Sequence, residues 1–164
     1  MKERTKHGLL DDVDARLRPD GGKGVLAVSL ERLQTYYMEE AQAWERLALI
    51  KGRSVAGDRV FRAKLDKALS EIAFHRPFTS ADLDSIAAIR ERLRAEASAL
   101  DLKKRRGGVI ELEFAVRLLQ VQHARAYPFL KCNDVRGAIR ALHDAGIMTE
   151  QEARELREKR LLEA

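Results

Sequence analysis

The chain has 164 residues, enough for one ordinary domain or for a helical domain joined to part of another. Hydrophobic residues make up 45 %, charged residues 35 % and aromatics 5 %, a mix that suits a helix-rich protein with a real core. The formal charge is +5, from 31 basic and 26 acidic residues, with the signs interspersed; this permits a phosphate-bearing partner but does not call for nucleic acid.

The first eight residues, MKERTKHG, are charged and lead into no apolar stretch, so no signal peptide is expected. Leu9, Val13, Ala15 and Leu17 partly alternate with polar residues, which predicts a half-buried strand over 9–17. Pro19, Asp20, Gly21, Gly22 and Gly24 form the densest turn signal in the chain, and Val25 to Val28 read as a second strand. Together these predict a β-hairpin, which is marginal alone and needs further sheet or a helix to cover it.

From Ser29 the period changes. Ser29 is a natural N-cap, and Leu30, Leu33, Tyr37, Ala41, Trp44 and Ala48 follow at helical spacing, so one long helix is expected to end near Lys51–Gly52. Trp44 is expected to anchor that helix to the sheet. Val60, Phe61, Leu65, Ala68, Leu69 and Ile72 make a second amphipathic stripe. Thr79 opens a third helix with Asp82 completing a capping box, and its apolar face is Leu83, Ile86, Ile89 and Leu93. Ser80-Ala81-Asp82-Leu83-Asp84 imitates a metal-binding S-x-D-x-D string, but Asp82 already has a capping explanation.

Residues 101–108, DLKKRRGG, form a basic loop. A fourth helix carries Ile110, Phe114, Leu118 and Val121, with Pro128 helping to end it. Glu111 and Glu113 open this helix, where acids are favoured whatever their function. Two residues apart on a helix, they diverge by ~200° and cannot aim at one point. One is expected to reach a cleft and the other to pair with Arg117, four residues after Glu113. Cys132 is the single cysteine, so no intrachain disulfide forms, which fits a reducing cytosol. Residues 133–145 and 149–163 make a last helical pair around Gly146, with Thr149 and Glu152 as a capping box. Packing is the ordinary role of such an αα-hairpin, and no base-reading polar cluster supports DNA binding. No apolar run approaches ~20 residues, so no membrane span is expected.

Two ordered blocks carry a resemblance. The first is Val13, Asp14, Arg16, Leu17, Arg18 and Pro19, then Gly21, Gly22 and Gly24, then Trp44, Glu45, Arg46, Ala48, Leu49 and Arg53. The second is Asp101, Leu102 and Lys103, then Gly107 and Gly108, then Glu111, Leu112, Glu113 and Phe114. They resemble the end of a nucleotidyltransferase domain, and the helical domain that follows it, in the glutamine synthetase adenylyltransferase family. Glu111 and Arg117 depart from the family's usual Asp and Gln.

The resemblance implies a mainly α fold: a helical bundle with a short N-terminal β-hairpin remnant of a polymerase-β-like palm. Residues 1–56 would close the nucleotidyltransferase domain, and 57–164 would be the helical domain. It implies transfer of AMP between ATP and glutamine synthetase, with Mg²⁺ as metal, a PII-type signalling protein as a possible partner and a cytoplasmic location. Asp14 matches the third of three metal-binding carboxylates, and Arg16 and Arg18, on its face of a strand, suit a triphosphate. Lys103, Gly107 and Gly108 would meet nucleotide phosphates or the protein substrate. Glu111 and Glu113 are candidate cleft acids. The G-S-x-x-D-x-D pair that completes the superfamily's metal site is absent from these residues, so the chain reads as an enzyme fragment, inactive alone. The spacing of D-L-K to G-G, and the MTEQEA turn, look more like the adenylylating half of the family. The competing reading is a noncatalytic helical module that binds protein partners or anions.

Overall fold

The structure, a computed structural model, describes residues 4, 5, 8, 9, 17–96, 101, 104 and 107–162. It is mainly helical. The chain divides into two compact units, Met1–Glu40 and Ala41–Ala164.

In the first unit, β1 (Arg4–Thr5) pairs antiparallel with β2 (Gly8–Leu9), and these are the only strands among the described residues. The expected hairpin of 9–17 with 25–28 is corrected on its second arm. Val25–Val28 is irregular, with Val25 67 % and Leu26 81 % exposed, so no partner buries its apolar side chains. Most of the first arm, residues 10–16, lies outside the described residues. The glycine-rich stretch turns through a short 3₁₀ helix at Gly21–Lys23, after Pro19 and a left-handed Asp20 at φ 63°. Gly24 is obligatory there: a Cβ at this position would sit 2.0 Å from the Pro19 carbonyl oxygen. Ser29 caps α1 (Leu30–Thr35) as expected, its side chain accepting the Arg32 N–H at 3.1 Å.

The single long helix is also corrected. α1 runs into a π-helical turn at Tyr36–Glu40, and a new helix, α2 (Ala43–Leu49), starts after extended Gln42. Gln42 and Glu45 form the capping box of α2, with Glu45 accepting the Gln42 N–H at 2.9 Å. Trp44 donates to the Gln42 side chain at 3.0 Å and packs on a helical cluster rather than on a sheet.

The remaining helices of the second unit are α3 (Arg59–Phe74), α4 (Ser80–Ala95), α5 (Val109–His123), α6 (Val135–Asp144) and α7 (Glu150–Leu162). Asp58 caps α3 through the N–H groups of Val60 and Phe61. Only the second half of the α3 stripe is core: Ala68, Leu69, Ile72 and Ala73 are buried, while Val60 and Phe61 are exposed. The Thr79–Asp82 box stands at the start of α4, where Ile86 is buried and Leu83 is exposed.

Two apolar clusters share α5. Leu47, Ile50, Ala73, Phe78, Ile86 and Val121 make one, and Leu112, Val116, Leu130, Ala138, Ile139 and Leu142 are at the heart of the other. A helix buried between two cores loses its polar face. That is why the single stripe expected for α5 left out its deepest residues, Val116, Arg117 and Gln120, although it included buried Val121. The last pair forms as expected. Ile147 N–H bonds to Leu142 O at 3.0 Å and Gly146 N–H to His143 O at 2.8 Å, a Schellman motif closed by Gly146 at φ 69°. Thr149 and Glu152 then cap α7.

Candidate functional site

Asp14, Arg16 and Lys103 lie outside the described residues. Arg18 is described, and its guanidinium folds back over the glycine-rich turn. Nε donates to the Gly24 carbonyl at 3.2 Å and Nη2 reaches the Gly22 carbonyl at 3.5 Å. The turn that follows the D-x-R-L-R-P string is therefore tied to the last arginine of that string. Arg32 adds a second tie. It donates to both oxygens of Glu40 and to Asp20 at 3.3 Å, and it lies over the Tyr36 ring. The Arg32 hydrogen bonds hold the Glu40 carboxyl below its ordinary range. Sequence spacing did not reveal Arg32, because Glu40 is eight residues away, across the start of the π-helical turn.

In the second unit the two candidate cleft acids part as the helical geometry requires. Glu111 accepts the Gly107 N–H at 2.9 Å and pairs with Arg94 of α4. The Gly107 N–H first, and Arg94 next, hold the Glu111 carboxyl below its ordinary range. Glu113 is buried and takes Lys51, at the end of α2, as an ion-pair partner. Lys51 and Arg94 were not legible, since they stand 62 and 17 residues from their acids.

Gly108 is buried and serves as the N-cap of α5, with Gly107 before it at φ 76°. Asp101 accepts the Lys104 N–H at 3.1 Å. Two amides of the basic loop, Lys104 and Gly107, are thus bound by acids of this chain. The S-A-D-L-D string is likewise engaged in capping: Asp82 accepts the Thr79 N–H at 2.8 Å and pairs with Arg76 at 2.5 Å. Among the described residues no group of three His, Cys, Asp or Glu side chains can hold a metal ion.

Arg117 is the most deeply buried charged side chain described, at 2 % exposure. It donates to Asn133 O at 2.6 Å, Cys132 O at 3.2 Å and Gln120 Oε1 at 2.7 Å. Gln120 in turn donates to Leu130 O at 2.5 Å. Two signals marked Arg117 in the sequence: its place four residues after Glu113, and its departure from the family's usual Gln.

Arg46, in the W-E-R string, is buried over the Phe78 ring, 4.0 Å from its centroid. Burial, and then the nearby Arg76, push its pKa down to about 10, while Asp82 opposes this, so it stays charged at neutral pH. His75 Nδ1 donates to Ile72 O at 2.8 Å, which leaves Nε2 to accept from Arg46 at 3.3 Å. Burial first, and the charges of Arg46 and Arg76 with it, lower the His75 pKa against the Ile72 bond and Asp82. Neutral His75 is therefore the folded form. Its contribution to stability is full above the ordinary histidine value of about 6.5 and is lost as pH falls from there through the lower folded value. Urea midpoints between about pH 5 and 7.5 should show this loss, and His75→Gln should remove it; an unchanged slope would exclude His75 as the source.

No helix among the described residues is long and apolar enough to cross a membrane. Two family models match the chain: glutamate-ammonia ligase adenylyltransferase over residues 1–68, and GlnD PII-uridylyltransferase over residues 84–162. The chain is similar to bifunctional glutamine synthetase adenylyltransferase/adenylyl-removing enzymes. That of Caulobacter vibrioides is 39 % identical over 148 residues, covering 87 % of this chain and 15 % of the relative. That of Stenotrophomonas maltophilia (strain K279a) is 35 % identical, covering 93 % of this chain and 17 % of the relative. That of Hahella chejuensis is 32 % identical, covering 96 % of this chain and 17 % of the relative. The chain thus spans about a sixth of the length of the curated relatives it matches. With both sequence blocks inside these matched regions, the chain belongs to the glutamine synthetase adenylyltransferase family.

Proposed function

We propose that this segment is part of a nucleotidyltransferase that moves AMP between ATP and glutamine synthetase, in the cytoplasm, and so regulates nitrogen assimilation. The observation that carries this reading is the similarity to bifunctional enzymes of that activity over 87 % of the chain and more. Residues 1–56 close the nucleotidyltransferase domain and carry Asp14, and 57–164 are the associated helical domain. The adenylylating half is the preferred assignment. A PII-type protein is the proposed regulatory partner, in keeping with the match to a PII-uridylyltransferase model over 84–162.

Asp14 would supply one metal-binding carboxylate, and Arg16 would take up phosphate oxygens through its guanidinium fork. Arg18 would do so while holding the turn at Gly22 and Gly24. Lys103 and the Gly107–Gly108 turn would meet phosphate or the protein substrate, and Glu111 and Glu113 would fix the walls of the cleft through Arg94 and Lys51. A two-Mg²⁺ site takes three carboxylates, whereas the family motif on these 164 residues supplies one. The donor set of this chain does not fit that site by itself.

The chain alone is therefore expected to transfer no AMP. Incubation with ATP·Mg²⁺ and glutamine synthetase, read by mass spectrometry of the synthetase, checks this, and measurable transfer would overturn the incomplete-site reading. A second reading, a noncatalytic helical module for protein or anion binding, is favoured by one fact: Ala41–Ala164 carries both described apolar clusters within itself. Saturable heat with ATP·Mg²⁺ in calorimetry would favour the first reading over the second.

A further inference from the structure

A cleft of about 320 Å³ opens in the second unit where the end of α2, the second half of α3 and the chain just before α6 meet. This is the low end of small-ligand pockets, roughly 300–1,000 Å³. Ile50, Leu69, Ala73 and Phe74 give it an apolar, largely buried lining. Its exposed lining is polar and includes two cations, Arg53 and Lys131.

The charges around the cleft do not cancel. Asp66 is the acid of the lining, and both its oxygens are occupied by Ser54, the backbone N–H at 2.7 Å and the hydroxyl at 2.7 Å. Those two bonds hold its carboxyl below the ordinary range, and the neighbouring Arg62 offsets its charge. Arg53 and Lys131 have no carboxylate partner among the described residues. Ser70 and Asn133 place a hydroxyl and an amide on the same lining.

We propose that this cleft binds a phosphomonoester with a small apolar body. A phosphomonoester dianion matches the two uncompensated cations in charge. Its three oxygens can use the Arg53 fork, the Lys131 ammonium and the neutral donors of Ser70 and Asn133. A carboxylate carries half that charge and one oxygen fewer. The ester body would cover the apolar lining, where Phe74 offers a ring to stack against. None of the residues assigned to adenylyl transfer takes part.

The test is a titration of the ¹⁵N-labelled chain with phenyl phosphate, followed by amide shifts. Saturable shifts are expected at Gly52, Arg53, Ser70, Cys132 and Asn133. Arg53→Gln and Lys131→Gln should each weaken binding about tenfold, because each removes one charge-assisted contact. Both side chains are exposed, so spectra away from the cleft should be unchanged and report that the variants fold. Inorganic phosphate, which lacks the body, and benzoate, which lacks the second charge, should both bind several-fold more weakly than phenyl phosphate. No saturable shift, shifts clustered elsewhere, unchanged affinity in both variants, or benzoate binding as tightly as phenyl phosphate would each overturn the proposal.

Discussion

Arg117→Ala should lower the stability of the Ala41–Ala164 unit by about 4 kcal/mol, most of the margin a domain of this size has. The side chain is 2 % exposed and links α5 to the segment that leads into α6. Truncation leaves the Asn133 carbonyl and the buried Gln120 side-chain oxygen short of a donor, at about 1–3 kcal/mol for each group that stays unsatisfied, while the Cys132 carbonyl keeps the Gln120 amide at 3.0 Å. It also leaves a cavity where a side chain only 2 % exposed stood. Arg117→Gln keeps a donor and part of the volume, so its cost should be roughly half as large. Urea unfolding followed by Trp44 fluorescence reads both variants, since Trp44 is the sole tryptophan and packs on the apolar cluster of Leu47, Ile50 and Val121. A loss under about 1 kcal/mol in Arg117→Ala would mean that water replaces the guanidinium and that the link is not structural.

The same residue shows where sequence legibility stopped. Local devices were legible because they are written in adjacent residues. Ser29, the Thr79–Asp82 box, the Thr149–Glu152 box and the Gly146 turn are cases of this. The break at Gln42 was not, because Ala41, Gln42 and Ala43 are good helix formers and Gln is an uncommon N-cap. The capping box there depends on Glu45, whose spacing from Gln42 is as natural inside a continuous helix as at the start of a new one. Val25–Val28 misled for a different reason: a short apolar run has no period with which to test a strand assignment. In the candidate site, the divergence of Glu111 and Glu113 followed from helical geometry, but their partners did not. Arg94 and Lys51 reach them across the fold, and nothing local marks either residue. Asp14, Arg16 and Lys103 were singled out through the family resemblance and lie outside the described residues.

In an enzyme of the relatives' full length that carries this segment, Asp14→Asn should cut AMP transfer about a thousandfold, roughly 4 kcal/mol at 1.36 kcal/mol per decade. The substitution keeps the size of the side chain and removes one negative charge. A carboxylate that would hold a metal against the charge developing in the transition state has no neutral substitute, so the loss should fall mainly on kcat rather than on the KM for ATP. Transfer from ATP and its reversal by pyrophosphate pass through one transition state, so the variant should slow them by the same factor. Asp11→Asn is the matching control. Asp11 stands outside the string that carries the family resemblance, so its effect should stay within a fewfold, about 1 kcal/mol or less. Arg18→Ala should behave differently from both, because its guanidinium also holds the turn at Gly22 and Gly24. It should raise the KM for ATP and lower thermal stability together, whereas Asp14→Asn should leave the melting temperature unchanged. Equal losses for Asp11→Asn and Asp14→Asn would remove Asp14 from the site and leave Arg18 as a loop-stabilising residue alone.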